Sequence, residues 1–441
     1  MNAPAHVFEG RHPYAGDARH TTSYYAASAN PAPLRPELVG DHDTDICVVG
    51  AGFSGLSTAL HLTEKGYKVT VLEGARIGWG ASGRNGGQIV NGLNASLQKI
   101  RRTYGKDTAD FVATVVQEGG EIIRRFVKDY DIQCDLKDNN IFVAHTNAHM
   151  RDLTETMDLW ASYGIRNQEV LSKAELKKYV NSDAYIGGVI DRSGGHMHPL
   201  NLTLGEAAAI EKNGGIIHEM SPVISADTNA ARPVVRTAKG SVTCNTLVLC
   251  GNAYLGDVVP TLTWRVMPVS TQVMATEPLG DRWKDIIPSD ACVEDVRYIL
   301  DYYRLSADKR LLFGGGTVYG GADPADIEAK LRRNMDKVFP QLKGVKVDYA
   351  WSGIFALSFS RVPQMGRVGN NTYFAHGYSG HGVTGTHVFG RILSEAIHGD
   401  RTRFDVFSNL RWIPFPGGRT FRVPYSVIGS WWYAMRDKLG V

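Results

Sequence analysis

DICVVGAGFSGLSTALHLTEKGYKVTVLE occupies Asp45 to Glu73, and its blocks of apolar, glycine and apolar residues spell strand, helix, strand. Ile46, Cys47, Val48 and Val49 form a short unbroken apolar run, as in a strand covered on both faces. Gly50, Gly52 and Gly55 follow with G-x-G-x-x-G spacing, with Phe53 and Ser54 between the last two. The first glycine allows a tight turn, the second lets backbone approach a pyrophosphate, and the third permits close helix–strand packing. Leu56, Ala59, Leu60 and Leu62 trace a helical stripe, and the amides opening such a helix favour an anion. Gly66 ends that helix, and Val69, Val71 and Leu72 form the next strand. Glu73 closes it, about 20 residues past the glycines, where a carboxylate holds a ribose hydroxyl. Glycine-rich turns alone are common, but this full strand–helix–strand context predicts a dinucleotide site. An acid at the ribose disfavours a 2′-phosphate, so FAD or NAD is expected over NADP.

The chain has 441 residues, room for two or three domains, with 43% hydrophobic and 21% charged residues, as in a soluble globular protein. A net charge of +3 without a basic run argues against nucleic acid. The five cysteines (Cys47, Cys134, Cys244, Cys250, Cys292) include no C-x-x-C pair, and no His cluster has metal spacing. No metal is therefore expected, and a reducing compartment is. His6, Glu9, Arg11 and His12 interrupt any leader-like apolar run. No stretch reaches the roughly 20 apolar residues of a membrane helix, so a cytoplasmic protein without a transmembrane segment is expected.

Before Asp45 the chain reads as an extended arm whose Ser23-Tyr24-Tyr25 patch packs on the body. After Glu73 comes a glycine-dense loop, Gly74 to Gly92, in which Arg84, Asn85 and Gln88 offer donors on a flexible backbone. Its place directly after the ribose-binding strand predicts cofactor contact rather than a plain surface loop. Residues 95–180 are expected to be mostly helical. A strand and turn over 186–200, a helix over 201–213, and strands at 215–218 and 234–237 follow, with a hairpin through Lys239-Gly240. Thr246 to Cys250 is another buried-strand run ending in Gly251-Asn252-Ala253. Residues 265–276 and 297–316 alternate like antiparallel strands of a second sheet, and 327–339 is an amphipathic helix. Thr372 to His376 is one more strand, and HGYSGHGVTGTHVFG after it makes a second glycine-rich strand-to-helix junction and a second anion site.

GAGFSG (Gly50 to Gly55), Glu73, SGRNGGQ (Ser82 to Gln88), LVLCGNA (Leu247 to Ala253) and GYSGHG (Gly377 to Gly382) together resemble the D-amino-acid-oxidase/sarcosine-oxidase (DAO) superfamily of FAD enzymes. The likeness covers nearly the whole chain. With Tyr24-Tyr25, PQMGR (Pro363 to Arg367) and WIPFPGGR (Trp412 to Arg419), it looks most like the gamma-glutamylputrescine-oxidase branch. The resemblance implies an α/β fold: an FAD-binding doubly wound, Rossmann-like domain, and a second α+β substrate domain on a mostly antiparallel sheet. The FAD domain is expected in segments 1–96, 196–262 and 351–441, the last including the C-terminal tail, and the substrate domain in 97–195 and 263–350. It implies that Gly50, Gly52, Phe53, Ser54 and Gly55 hold the pyrophosphate, and Glu73 with Gly74 the adenosine ribose. Ala81, Ser82, Arg84, Asn85, Gly86, Gly87 and Gln88 would run to the flavin, and Val223 would meet adenine. Gly251 and Asn252 edge the site, and Gly377, Gly380, His381, Gly382 and Val383 would line the flavin ring. Relatives that tether FAD covalently carry a His in the first glycine loop or a Cys before the C-terminal strand. Here that loop holds Arg84 and Asn85, and no Cys follows Cys292, so non-covalent FAD is implied.

The implied activity is oxidation of an amine C–N bond by hydride transfer to flavin, with electrons passing on to oxygen or a carrier. A gamma-glutamylated polyamine cleaved to an aldehyde and ammonia is the expected substrate. Relatives that oxidise compact amino acids carry a Lys where this chain has Thr384, which argues against a small amino acid. Asn91, Tyr303, Trp351 and Thr384 are the candidate substrate residues; of the aromatics Tyr303, Trp351, Phe355 and Phe359 most are expected in the core, with one or two forming an apolar wall over the flavin. His381 is the candidate catalytic side chain, with a purely structural role as its alternative. Oxidation or dehydrogenation of N-methyl or D-amino acids, a non-catalytic flavin redox sensor, and an NAD-only dehydrogenase are the competing functions. The aromatic tail, Phe421 to Val441, is expected to pack on the body or across a dimer, with an interfacial helix touching a membrane or carrier protein as its alternative.

Overall fold

A computed structural model describes residues 18–439. The helix α1 (Tyr24–Ala27) is a single turn capped by Ser23, whose hydroxyl accepts from the Ala26 amide at 3.1 Å. Tyr24 and Tyr25 are both buried, so the arm is anchored on the body as its adjacent tyrosines predicted. β1 (Gly40–Val49), α2 (Phe53–Glu64) and β2 (Val69–Leu72) follow, then the two-residue strand β3 (Gln88–Ile89). The stretch expected to be mostly helical holds α3 (Leu97–Tyr104), α4 (Lys106–Val115), α5 (Glu118–Asp129), β4 (Lys137–Ala144), α6 (Asn147–Ser162), β5 (Gln168–Ser172) and α7 (Lys173–Leu176). Its two strands escaped the helical pattern reading because the polar start of β4, KDNN, has no strand signature; pairing on both sides supplies one. β6 (Gly187–His196), α8 (Pro199–Lys212), β7 (Ile216–His218), β8 (Ser225–Asp227), β9 (Val234–Arg236) and β10 (Gly240–Leu249) come next. Then come α9 (Pro260–Thr263), β11 (Val266–Thr276), β12 (Cys292–Asp295), β13 (Asp301–Leu305), β14 (Leu311–Tyr319), α10 (Ile327–Val338) and β15 (Val347–Ser358). β16 (Gln364–Val368), β17 (Thr372–His376), α11 (Gly382–His398), α12 (Thr402–Ser408) and α13 (Gly418–Leu439) complete the described chain.

The first sheet has the order β16-β17-β10-β1-β2-β7. From β17 to β7 every pairing is parallel, and β16 runs antiparallel at the edge. Parallel strands bring all their C-terminal ends to one side, so Gly50, Glu73, Gly251 and Gly377 share that edge, where open α/β sheets take their ligands. The apolar stripe read from Leu56 to Leu62 lies in a helix, α2, that is buried on all sides from Phe53 to Thr63 and packs on α11 and α8.

The second sheet has the order β15-β11-β14-β13-β12-β4-β6-β3, antiparallel apart from β12 with β4. One face is sealed by α10 through Met274, Tyr303, Phe313, Leu331 and Met335. The other carries Val273, Leu312 and Trp351, packed with Tyr25 and Tyr302, and turns toward the glycine-dense loop. β15 pairs with β11 along its length, from Ser358 opposite Val266 to Val347 opposite Thr276. The expected boundary at 350/351 therefore falls inside a strand of the second sheet, and the chain crosses back to the first sheet only after it.

In α13, Arg422 donates to the Val266 carbonyl at 2.7 Å and Val423 packs beside Tyr319. Beyond them Tyr425, Ile428, Trp431, Trp432 and Met435 are exposed, so packing on the body accounts for only the start of the tail. The reading of the leading residues, His6 to His12, lies outside the described residues, as do the side chains of Tyr433, Arg436 and Lys438. Among the described residues, no helix is long and apolar enough to cross a membrane.

Candidate active site

β1 hands the chain to α2 through Gly50, whose φ of +104° is a conformation that L side chains rarely adopt. A methyl group on Gly55 would lie 1.9 Å from the Gly50 carbonyl oxygen, which is why helix and strand can approach only with glycine there. Gly52 caps α2, and the first-turn amides of that helix have no carbonyl one turn back. One of them, on Phe53, donates to the Ser82 hydroxyl at 2.9 Å, so the loop expected beside the pyrophosphate does touch this turn. Glu73, at the end of β2, is buried and accepts from the Ala51 amide at 2.7 Å and the Ala75 amide at 2.9 Å. Burial pushes its carboxyl up to about 7, against the pull of those amides. A carboxylate has about four lone-pair directions, so two remain for a diol. Val223 is buried in one apolar cluster with Val49, Leu72 and Leu249, near the same strand ends.

The two glycine-rich junctions meet directly. Ser54, in the first, and Tyr378, in the second, share a hydrogen bond between hydroxyls at 2.8 Å across 324 residues of sequence. Asn252, held at φ +48°, accepts from the Gly377 amide at 3.0 Å and ties the end of β10 to the end of β17. The Ser379 amide donates to the Ala356 carbonyl at 3.0 Å, fixing the GYSGHG loop on β15. There the Phe355 ring stands over Gly380, where an added methyl would be 3.5 Å from it. His381 caps α11 just ahead of Gly382 and Val383; its Nε2 is buried without a partner, and desolvation lowers its pKa. An orphaned ring nitrogen at this junction is what a site for a polar cofactor or substrate would leave.

The loop between is tied by hydrogen bonds within itself and to the second sheet. Asn85 donates to the Ala81 and Ser82 carbonyls and accepts from the Gly87 amide at 2.8 Å. Arg84 lies over the Trp79 ring, 4.5 Å from its centroid, and donates to the Trp79 carbonyl, so its guanidinium is already engaged. Trp351 donates its indole N–H to the Arg84 carbonyl at 2.9 Å, as befits a residue of the sheet face toward the loop. Gln88 reaches the Val293 carbonyl on β12 at 3.0 Å. Arg304, absent from the expected site, is almost fully buried and donates to the carbonyls of Gly86 at 2.6 Å and Leu305 at 3.0 Å, and to the Tyr25 hydroxyl at 3.1 Å.

Two expected substrate residues, Tyr303 and Thr384, are turned away from this junction, whereas Asn91 lies beside His381. Tyr303 is on the opposite face, stacked on Phe313 beneath α10 and bonded to the Tyr185 hydroxyl at 3.0 Å. Strand alternation gives the near face to its neighbour Tyr302, against which a methyl on Gly86 would stand at 2.5 Å. Thr384 is buried, donates to the Val90 carbonyl at 2.6 Å and abuts Gly119 of α5, so the uncharged residue there does not reach out to a ligand. Asn91 bonds Ser193 and accepts from the Gly120 amide, joining loop to helix. Phe359 is partly exposed, edge-on to Phe415. Tyr302, Arg304 and Glu294 are what residue-by-residue reading missed; Arg304 and Glu294 each share a short strand, DYYRL and CVED, with an aspartate, so no lone charge marked them.

The family model for FAD dependent oxidoreductases, DAO, matches residues 45–396. A gamma-glutamylputrescine oxidoreductase of Escherichia coli strain K12 is 51% identical over 424 residues, covering 96% of this chain and 99% of its own. A probable oxidoreductase, OrdL, of Haemophilus influenzae is 41% identical over 95% of this chain and 98% of its own. The crystal structure of glycine oxidase from Geobacillus kaustophilus superposes with a TM-score of 0.69 at 19% identity, over 82% of this chain and 98% of that one, a likeness of fold.

Proposed function

Since the chain belongs to the DAO family of FAD-dependent oxidoreductases, we propose that it oxidises the primary amine of a gamma-glutamylated polyamine, such as gamma-glutamylputrescine, to an aldehyde with release of ammonia. The observation that carries this is the 51% identity to gamma-glutamylputrescine oxidoreductase over almost the full length of both chains. Bound FAD would supply the two-electron acceptor for the hydride leaving the amine carbon.

The residues present suit that cofactor, held without a covalent bond. Gly50, Gly52 and Gly55 would admit the pyrophosphate to the start of α2, and Glu73 would take the ribose through its remaining lone pairs. The amides opening α11, from Gly382 onward, would face negative charge developing in the ring, and the His381 Nε2 would find its partner there. Phe355, Tyr302 and the indole-pinned Arg84 loop would orient the amine and keep water away from its carbon. Loss of hydride leaves an imine, which water opens to aldehyde and ammonia. Electrons would pass on to oxygen or a carrier. Five free, buried cysteines support a reducing, cytoplasmic setting.

Anaerobic mixing of the purified yellow protein with a panel of gamma-glutamylputrescine, putrescine, sarcosine and D-alanine tests the reading. Rapid bleaching by the first alone is expected. Bleaching by sarcosine or D-alanine in preference, or by none, would overturn it.

A further inference from the structure

We propose that Glu294 receives the ammonium form of the substrate and takes its proton, delivering the neutral amine that hydride loss requires. This rests on the amine-oxidation reading above. An ammonium has no lone pair to drive hydride out, so the proton must go somewhere before the C–H bond breaks.

The placement follows from strand register. Glu294 pairs with Tyr302 across β12 and β13, so both side chains share the sheet face turned toward the glycine-dense loop. Tyr302 packs on Gly86 of that loop, and Gln88 of the same loop bonds the carbonyl of Val293, one residue from Glu294. Both ends of β12's near face therefore border the expected flavin approach. Glu294 lies deep in the protein yet keeps some accessible surface. Its carboxyl has no hydrogen-bond or ion-pair partner among the described residues, unlike its neighbour Asp295, which is paired with Arg297 on the opposite face. A buried carboxyl without a partner is costly and calls for an occupant that supplies a cation or a donor.

The titratable groups facing it are Cys292 on its own strand and Tyr302 on β13, with Asp295 adding negative charge from behind. Gln88 from the loop and Phe142 from β4, paired with Glu294, are uncharged. Arg304, two residues along β13 from Tyr302 and on the same face, is spent on the Gly86 and Leu305 carbonyls and the Tyr25 hydroxyl, and among the described residues no cation pairs with Glu294, so the complement it lacks is positive. Burial pushes the carboxyl up to about 8, which narrows the gap to a primary amine and makes transfer of the ammonium proton to it accessible. The step balances: the N–H bond breaks, its electron pair stays on nitrogen, and an O–H bond forms on Glu294.

The test uses the FAD-loaded enzyme and its E294Q variant, with gamma-glutamylputrescine. FAD content and thermal midpoint, measured first, are expected to match the wild type. Binding is read from the perturbation of the oxidised flavin spectrum by a non-oxidisable ammonium analogue, and chemistry from anaerobic flavin reduction against pH. At pH 7 the variant is expected to bind the analogue more than tenfold more weakly and to be reduced more than a hundredfold more slowly. Toward pH about 10.5, where a primary amine loses its proton unaided, the two reduction rates converge to within about threefold. Unchanged binding at pH 7, or a rate loss equal at every pH, overturns the proposal. Bleaching of the wild type by the amine is scored separately, so failure of the amine-oxidation reading is distinguishable from failure of this role.

Discussion

Replacing Arg304 with Met tests whether the glycine-dense loop after Glu73 is held from the second sheet. The guanidinium is buried, is 2.6 Å from the Gly86 carbonyl, and has no carboxylate partner among the described residues; its other acceptors are the Leu305 carbonyl, the Tyr25 hydroxyl and, at 3.5 Å, the His196 Nδ1. Met keeps most of the stem and removes the fork. Each of the acceptors left dry costs about 1–3 kcal/mol. Against this, no longer burying a cation returns several kcal/mol, so the net change in stability is expected to stay near about 2 kcal/mol. The bond to Gly86 is charge-assisted and worth about 2 kcal/mol, and its loss falls on the loop itself. If that ordering is a cost the cofactor must then meet, FAD binds about 30-fold more weakly. Fluorescence quenching in an FAD titration of the apoprotein reads this directly, and urea unfolding of the same apoprotein reads stability. Arg304→Lys keeps a charge but not the fork, and is expected to behave like Met. An FAD Kd within threefold of wild type, alongside a large loss of stability, would mean that Arg304 is a strut of the core and that Gly86 needs no latch.

Gly55→Ala places a methyl 1.9 Å from the Gly50 carbonyl oxygen, both on fixed backbone, so α2 must move away from β1. Purified protein is expected to lose its yellow colour and at least about 1–3 kcal/mol of stability, whereas Gly429→Ala, in mid-helix with nothing within 4 Å, keeps the colour and loses no stability; a yellow, stable Gly55→Ala protein refutes the close-packing argument. His198 caps α8, accepts from the Asn201 amide and is pushed down to about 3 by burial. The unfolded chain protonates it near 6.5 and the folded one does not, so wild type loses about 1.4 kcal/mol per pH unit relative to His198→Asn as pH falls from 6.5 toward 3. Urea unfolding of both proteins at pH 7.5 and 5.5, at fixed FAD, is expected to show that change, and a difference independent of pH contradicts it.

What could be read from sequence was local, and what could not depended on pairing. The β1–α2–β2 unit is legible because glycine spacing, apolar runs and the terminal acid all lie within one stretch, and each acts on its near neighbours. The second junction is legible for the same reason, and even its meeting with the first was implied by family likeness. Tyr302 and Tyr303 are adjacent and equally aromatic, so composition favours neither. Which one faces the loop is set by the register of β13 against β12 and β14, a tertiary fact. Thr384 failed differently: it sits in the first turn of α11, where rotation about the helix points it into α5 rather than toward the opening. Arg304 and Glu294 each share a short strand with an aspartate, so the apolar pattern of that strand is broken by charge. Such a break reads as an exposed edge until the neighbouring strands are known to cover it.

The site is assembled from parts that are far apart in sequence, and few polar ties hold them. Ser54 meets Tyr378, Asn252 meets the Gly377 amide, and Arg304 meets Gly86, each joining segments at least 125 residues apart. A neutral hydrogen bond contributes only about 1 kcal/mol net, so such ties define geometry more than they supply stability. A cofactor reaching from Glu73 to the His381 junction would touch all of the joined segments at once. Its binding free energy would then become folding free energy, about 2.7 kcal/mol at a free concentration one hundred times its Kd. This explains why the cradle can be built from glycines and loops, which give little stability themselves: the element that completes the packing is the ligand they are shaped to admit.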